Sequence, residues 1–391
     1  MKTLIHSFVR DRLFLARSAA VIVGLSFVVP APALAFDANA ASARLTELGI
    51  KVSNQAVSPE NLDKISYFSA GNQAKNLTDA DLAMLASLPG LRVVDLSNTG
   101  NVTPEGIKAL AASQSIKTLR LTTINVGDIG AAAIGNMAQL ESLLLDSVKR
   151  ITAASAPAIA GLKQLRELQL SDVPFDDSAL SRFAQHPKLA VVGLTRMKTI
   201  SDTGLAHLGT APNIRALDVS FTSMTGKFVD AFANSKNLTD ITVSNANLND
   251  ADLRGLSKLK NIQRLDFRNN AGVGDATLAE MAKMPTIRVA FLEKTGITDK
   301  GLSAIGKLPN LAELVISETA ATDAGIASLQ LPKLKLIAIQ GTKITDATVE
   351  KLASHPTLTR LVIHKTVVTK DGIAKALAGR AANLPRLSIE N

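Results

Sequence analysis

The sequence predicts an α/β solenoid: short strands side by side in one parallel sheet, each followed by a short helix on the outer side. Three observations carry that expectation. An aliphatic pattern, Leu-x-x-Leu-x-Leu, restarts every 23–26 residues along most of the 391-residue chain, and a fixed period in that range marks stacked repeats. Within each period the apolar spacing changes from the strand period of two to the helix spacing of three and four. The 46% apolar content includes twelve Phe, one Tyr, no Trp and no Cys, so the core is built from Leu, Ile, Val and Ala.

Residues 1–35 read as an export signal. Lys2, Arg10, Arg12 and Arg17 give a basic start, Ser18 to Val29 is a twelve-residue apolar run, and Ala33-x-Ala35 places cleavage before Phe36. The run is short for a membrane-spanning helix; an uncleaved anchor is the rival reading. Arg10 and Arg12 are not adjacent, which excludes a twin-arginine signal, and no Cys follows for lipid attachment. No later stretch is apolar for long enough to cross a bilayer, so the mature chain is expected in the periplasm or outside the cell, without a transmembrane segment. The absence of cysteine excludes disulfides, thiolate metal sites and a Cys nucleophile, and suits an oxidising compartment.

Residues 36–76 read as an N-terminal cap. Asp37 to Leu48 has helical spacing and is stopped by Gly49. The stretches "IKVSNQ" and "LDKISYFSAG" are expected to pair as a hairpin across "AVSPEN".

From 77 to 391 the chain reads as about 13 repeats, with the first aliphatic at Leu91, Ile116, Leu140, Leu165, Leu189, Ile214, Leu238, Ile262, Ile287, Leu311, Leu334, Leu358 and Leu384, and a looser copy from Leu62. Val94-Asp95-Leu96 shows the strand alternation, while Leu82, Leu85 and Leu88 show the helix spacing. Helices open on Thr-Asp: Thr is a good N-cap, and Asp complements the positive end of the helix dipole. Nine units carry that Asp, at 79, 128, 177, 202, 250, 275, 299, 323 and 346. Helices stop before Pro89, Pro187, Pro212, Pro285, Pro309, Pro332 and Pro356, where the ring blocks continuation. One unit cannot bury both its faces, so neighbours must stack. Strands sit about 4.8 Å apart and helices about 10 Å, so the stack curves with the sheet on its concave wall. The last strand, in "LPRLSIEN", has no following cap, and a bare edge is open to pairing.

The runs "LRVVDLSNT", "LAELVISET" and "IRALDVSFT", each near a Thr-Asp-x-Gly-Leu helix start, resemble leucine-rich repeats. They are similar to bacterial exported repeat proteins and to the ribonuclease-inhibitor-like and F-box-associated types. The resemblance covers about residues 42 to 391 and implies a horseshoe with short helices on its convex face; such arcs bind many different things. The family's Asn, three residues after the third aliphatic, is kept only at Asn270. The site holds Thr99, Thr222, Thr295, Thr319, Thr342 and Thr366 in six units and is apolar in others, so no continuous Asn ladder is expected.

Candidate chemistry is sparse. The mature chain's four His, at 186, 207, 355 and 364, have no metal-ligand spacing. His186 and His355 precede helix-ending prolines and read as solvent-facing. No nucleophile elbow and no phosphate-binding Gly loop is present. The Asp residues are accounted for as helix starts, and the acceptor-like tripeptides at Asn76, Asn101 and Asn237 are read as coincidence. The sequence therefore points away from an enzyme, a cofactor and a metal. Of the formal charge of +9, the signal carries +3 (four basic residues, one Asp11), leaving about +6 on the mature chain. With no Lys/Arg run of five or more, that charge reads as spread out and does not indicate nucleic acid.

What remains is the concave wall. Between the second and third aliphatics the outward residue is Asp95, Arg120, Leu144, Gln169, Gly193, Asp218, Thr242 and Asp266, then Phe291, Val315, Ala338 and Val362, then Ser388. The preceding column adds Val289, Glu313, Leu336 and Arg360; the following one adds Arg268, Glu293, Gln340 and His364. An exposed apolar patch with a charged rim marks a partner site, and Phe291 would be its anchor. A second candidate is the polar middle formed by Asp218, Asp240, Arg264, Asp266 and Arg268. The expected function is non-catalytic binding of a protein on the concave face. The alternatives are a binder of an anionic envelope component, polyanion or glycan, and a substrate-recruiting protein of the F-box-associated kind.

Overall fold

The computed structural model describes residues 37–71 and 74–391; the expected signal and its cleavage site lie outside them. The first helix, α1, spans Ala38–Glu47. The Asp37 carboxylate caps it by accepting the amides of Asn39 and Ala40, and Gly49 leaves it in the left-handed region, as the sequence suggests.

The expected hairpin is not made. Lys51–Val52 (β1) pairs antiparallel with Gln55–Ala56 (β2) across Ser53 and Asn54, both at positive φ, the conformation of a tight hairpin turn. Pro59–Lys64 then forms a 3-10 turn. Tyr67–Ser69 (β3) pairs parallel with Val93–Ser97 (β4), Phe68 opposite Val94. The reason is burial: Phe68 and Val94 are 1% and 0% exposed, and a hairpin would leave that phenylalanine uncovered.

From β3 to the last strand, Ser388–Glu390 (β16), fourteen strands lie in sequence order in one parallel, unclosed sheet. The register matches the sequence pattern in every unit from Leu91 to Leu358. The two ends are corrected. Phe68 lies opposite Val94, so the first unit begins at Ile65, three residues after the expected Leu62. Ile389 pairs with Leu361 and Glu390 with Val362, so the last unit is displaced by two, and Glu390 takes the position expected for Ser388. Among the described residues, nothing pairs with the far side of β16.

The helices follow the Thr-Asp starts, as in Asp299–Ile305 and Asp346–Ala353. In one coil a 3-10 turn, Leu256–Lys258, stands in for the helix. One aliphatic core runs through every coil. In each unit from Leu91 to Leu358, two residues past the third aliphatic, the chain turns through a left-handed residue, for example Asn98, Phe221 and Lys365, with Gly341 there in one coil.

The helix-start Asp does more than complement a dipole. Each of the nine reaches the next coil. Asp275 accepts the amide and hydroxyl of Thr298 at 2.8 and 2.7 Å and the amide of Gly301 at 3.0 Å. Asp79, Asp177, Asp299 and Asp346 bind Thr103, Ser201, Thr322 and Thr369 in the same way. This explains the glycine of the Thr-Asp-x-Gly-Leu motif. A Cβ on Gly106, Gly204, Gly301, Gly325 or Gly372 would come within 3.0 Å of the preceding coil's Asp side chain. Where the motif lacks glycine, Ser155, Thr277 and Thr348 donate a hydroxyl to that same carboxylate.

Two further ladders complete the stack. Asn270 spans to the preceding coil: its amide donates to Val243 and Phe267 carbonyls, and its oxygen accepts the amides of Ala246 and Leu248. Five of the six threonines at the equivalent site bond within their own turn, as Thr295 to the Leu292 carbonyl at 2.6 Å; the buried Thr99 hydroxyl has no partner among the described residues. An asparagine ladder does exist, but just before the first aliphatic: Asn213, Asn237 and Asn310 donate to Pro187, Pro212 and Pro285 carbonyls one coil back. The cap is fastened by Arg44, whose guanidinium forks onto Asp81 at 2.7 and 3.1 Å. Burial pushes the Asp81 carboxyl up, but bonds from Arg44 and Thr78 outweigh it and hold it below the usual range.

Candidate functional site

Parallel register turns the predicted columns into contiguous rows on the open sheet face. Phe291 ends Val289–Phe291 (β12) and lies beside Val315 of Glu313–Val315 (β13); Ala338 of Leu336–Ala338 (β14) and Val362 of Arg360–Val362 (β15) continue the row. Val289, Glu313, Leu336 and Arg360 form the row beside it. The structure therefore brings the predicted residues together. It does not leave them equally open.

Phe291, Val289, Val315 and Leu336 are half-buried, as are the rim residues Arg268, Glu293, Glu313 and His364. Ala338 and Val362 are each only 6% exposed, so neither offers the open apolar surface expected of it. Ala338 is short and lies between Val315 and Val362 on flanking strands. Val362 faces Glu390, whose carboxylate is forked by Arg360 at 2.7 and 3.2 Å. The corrected register of the last strand causes this: with Ser388 opposite Val362, no such fork would close that end of the row.

At the other end the two expected candidates merge. Arg264 and Asp266 belong to Arg264–Asp266 (β11), the strand next to Phe291. The Arg264 guanidinium carbon lies 4.5 Å from the Phe291 ring centre, and that of Arg268 lies 5.3 Å from it. The quadrupole of the ring attracts both cations. Arg268 also grips Asp266, with its Nη2 at 2.6 Å from the carboxylate. That bond raises the Arg268 pKa further, helped by the charges of Asp266, Glu293 and Asp218. Asp266 is 1% exposed, so Arg268 is a fixed support. Arg264 forms no ion pair among the described residues although Asp240 is its direct cross-strand neighbour. Beside Arg264, a depression of about 220 Å³ is lined by Gln169, Ala216, Asp218, Asp240 and Thr242. Gln169 reaches this wall because Gly193 has no side chain: a Cβ there would meet the Gln169 amide.

The site thus has an apolar floor at Phe291, Val289, Val315 and Leu336, a guanidinium set against the ring with its donors uncommitted, and carboxylates at Asp218 and Asp240. That is equipment for gripping a mixed apolar and charged surface. Among the described residues no group of three or more His, Asp or Glu is placed to hold a metal, and no helix is long and apolar enough to cross a membrane.

The histidines are corrected. His186 is 3% exposed, its Nε2 is 3.2 Å from the Leu162 carbonyl of the preceding coil, and its Nδ1 accepts the Leu189 amide. His355 makes the equivalent contact with the Leu331 carbonyl at 3.0 Å. Burial lowers the pKa of both. They are rungs between coils, not solvent-facing groups. A periodic sign is present: each lies three residues before the first aliphatic of its unit, Leu189 and Leu358, and directly before Pro187 and Pro356.

Comparison with known proteins supports the same architecture. Residues 89–111 match the family described as leucine-rich repeat. A Listeria monocytogenes internalin, InlF, is similar over 94% of this chain and 98% of its own, at 18% identity and a TM-score of 0.55. The mouse RP105/MD-1 complex is similar over 78% of this chain and 60% of that one, at 15% identity and a TM-score of 0.51. A yeast complex of Rad7 and Elc1 follows at 17% identity, covering 90% and 91%, with a TM-score of 0.49. No curated protein matches the chain. The fold is a leucine-rich repeat solenoid, with its parallel sheet on the concave face and short helices on the convex one.

Proposed function

We propose that the chain is a non-catalytic protein-binding scaffold, exported to the cell envelope or beyond, that takes its partner on the sheet face around Phe291. One observation carries the reading: a half-buried aromatic is held under Arg264, whose guanidinium pairs with no carboxylate among the described residues. Aromatic and arginine side chains are the groups that most often dominate binding energy, and here they arrive pre-set, which lowers the entropy lost on docking. Val289, Val315 and Leu336 extend the contact; Glu313, Glu293 and His364 rim it. One of the similar structures is itself a complex, of RP105 with MD-1, which supports binding as a use of this fold. The envelope location rests on the basic start, apolar run and Ala33-x-Ala35 of the leader.

The test is a photo-crosslinking residue at Val315 in living cells, followed by identification of the captured protein and titration of that protein against purified chain. Phe291→Asp is expected to weaken binding by at least tenfold while thermal unfolding stays close to the parent's. A captured protein that binds Phe291→Asp as tightly as the parent refutes the site. Recovery of the intact leader in the cytosolic fraction refutes the export.

A further inference from the structure

The charge that looks dispersed in the sequence is gathered in the fold. Each coil passes from helix to strand through a turn on one edge of the solenoid. Over the twelve units from Leu91 to Leu358, the four residues before the first aliphatic and the one after it include fourteen Lys or Arg against the single acidic Glu141. Eleven of the fourteen form no ion pair among the described residues; the exceptions are Lys117 with Glu141, Lys258 with Asp230 and Lys283 with Glu280. The opposite edge, where the helices begin, carries the Asp ladder.

We propose that this basic edge docks the protein on an anionic lipid surface. Helix ends account for part of the pattern, since cations are favoured beside terminal carbonyls, as in Lys260 to the Ser257 carbonyl at 2.8 Å. They do not account for Arg166, Arg215, Arg288 and Lys335, which sit at the strand starts, are exposed and have no side-chain hydrogen bond among the described residues. Arg166, Lys188 and Arg215 converge on one open groove of about 570 Å³ that has no acidic lining residue. A second groove, about 510 Å³, is lined by Arg92 and Lys117. A phosphate headgroup matches both in charge and size.

The form of the array favours a surface over a thread. The cations flank the first aliphatic on both sides, before it in seven of the twelve units and after it in six, and only the units of Leu140 and Leu358 have none. A rod-like polyanion follows one side; a lipid surface meets both. No aromatic residue occupies any of these turn positions, so the stacking platform that single-stranded nucleic acids use is missing. Among the described residues, the exposed large apolar side chains, Tyr67, Ile129, Phe221, Val367 and Leu377, all lie elsewhere. Adsorption by charge, without insertion, is the expected mode. It falls off within a Debye length, about 8 Å at physiological salt.

The experiment is co-sedimentation of the full chain with vesicles of phosphatidylcholine alone or with about one third phosphatidylglycerol, at low and high salt. Binding is expected only to the anionic vesicles and only at low to moderate salt. The quadruple variant Arg166→Glu, Arg215→Glu, Arg288→Glu, Lys335→Glu is expected to lose about a hundredfold or more in partitioning. The charge-matched control, Lys149→Glu, Lys198→Glu, Lys343→Glu, Lys365→Glu, on the opposite edge, is expected to stay within a few-fold of the parent. If the Glu variant fails to fold by circular dichroism, the Gln version replaces it, with a loss of about tenfold or more. Equal losses in both edge variants, equal binding to neutral vesicles, or retention on dextran sulfate with no binding to anionic vesicles each overturn the proposal. None of these outcomes bears on the Phe291 site, which lies on the sheet face.

Discussion

Asp250 tests the bonding between coils most sharply. The helix Asp275–Met281 is preceded by Gly274, which has no side chain to cap it. The cap comes from the coil before: Asp250 accepts the amides of Gly274, Thr277 and Ala276 at 2.7, 3.0 and 3.3 Å, and the Thr277 hydroxyl at 2.6 Å. Asp250→Ala removes a cap, which costs about 0.5–2 kcal/mol. It also strands the hydroxyl of Thr277, which is 0% exposed, at about 1–3 kcal/mol. The expected loss is about 2–4 kcal/mol by urea denaturation, with faster hydrogen exchange at the Ala276 and Thr277 amides. Thr277→Val in the Asp250→Ala background should recover part of it, because the orphaned hydroxyl is then gone. The pH dependence has a definite sign. Burial pushes the Asp250 carboxyl up, but bonds from the Thr277 hydroxyl and the Gly274, Thr277 and Ala276 amides outweigh it, so its folded pKa lies below its ordinary value. The unfolded chain then binds more protons, and stability falls on acidification. The contribution is complete above about pH 4, the ordinary Asp value, and fades below it as pH falls through the folded pKa. The gap between parent and Asp250→Ala should therefore narrow below about pH 4. A loss under about 0.5 kcal/mol, or a gap unchanged down to pH 2, refutes the reasoning.

Two other predictions follow from neighbouring rungs. Gly325→Ala is expected to destabilise the protein by about 1–3 kcal/mol, because the added methyl meets the Asp299 carboxylate; in an Asp299→Ala background the penalty, read by denaturation midpoints, should largely disappear. His186 is buried with a lowered pKa, burial being the main cause, so its unfolded form binds a proton first. Its stabilising contribution is complete above about pH 6.5 and is lost as pH falls below that value. His186→Gln should flatten the decline in melting temperature between pH 7 and pH 5, and an unchanged slope would show that the imidazole does not titrate with unfolding.

Much of this was readable in the chain because the strand pattern and the helix start are local signals repeated many times. Val94, Leu119 and their ten successors through Leu361 fell into register by counting alone. The ends did not, since Ile65 and Ile389 have a neighbour on one side only and their patterns are weaker. Partnership between coils was the less legible part. Asp275 is recognisable as a helix start, but its bond to Thr298 joins residues 23 apart, and only the stacking distance reveals it. The Asn213, Asn237 and Asn310 ladder carries a periodic sign, each lying one residue before a first aliphatic, but at a different place from the family's usual Asn site. On the sheet face, Phe291 was visible as an anchor, yet its cover by Arg264 was not. A cross-strand neighbour of Asp240 would ordinarily pair with it, and the ring draws the guanidinium the other way. The basic edge escaped because its residues are never adjacent in sequence.

Nearly every rung ties a residue to its counterpart one period away, and this makes length an adjustable property of the molecule. Removing residues 299–322 would set Asp323 directly after Thr298, leaving Asp275 still bonded to Thr298 and Asp323 to Thr345. Removing only the first half of that stretch would leave Thr322 without its Asp299 counterpart and break the rung at the cut. The gene can therefore grow or shrink by whole coils, and each change widens or narrows the span between the Arg44 clasp and the Arg360–Glu390 clasp without redesigning either.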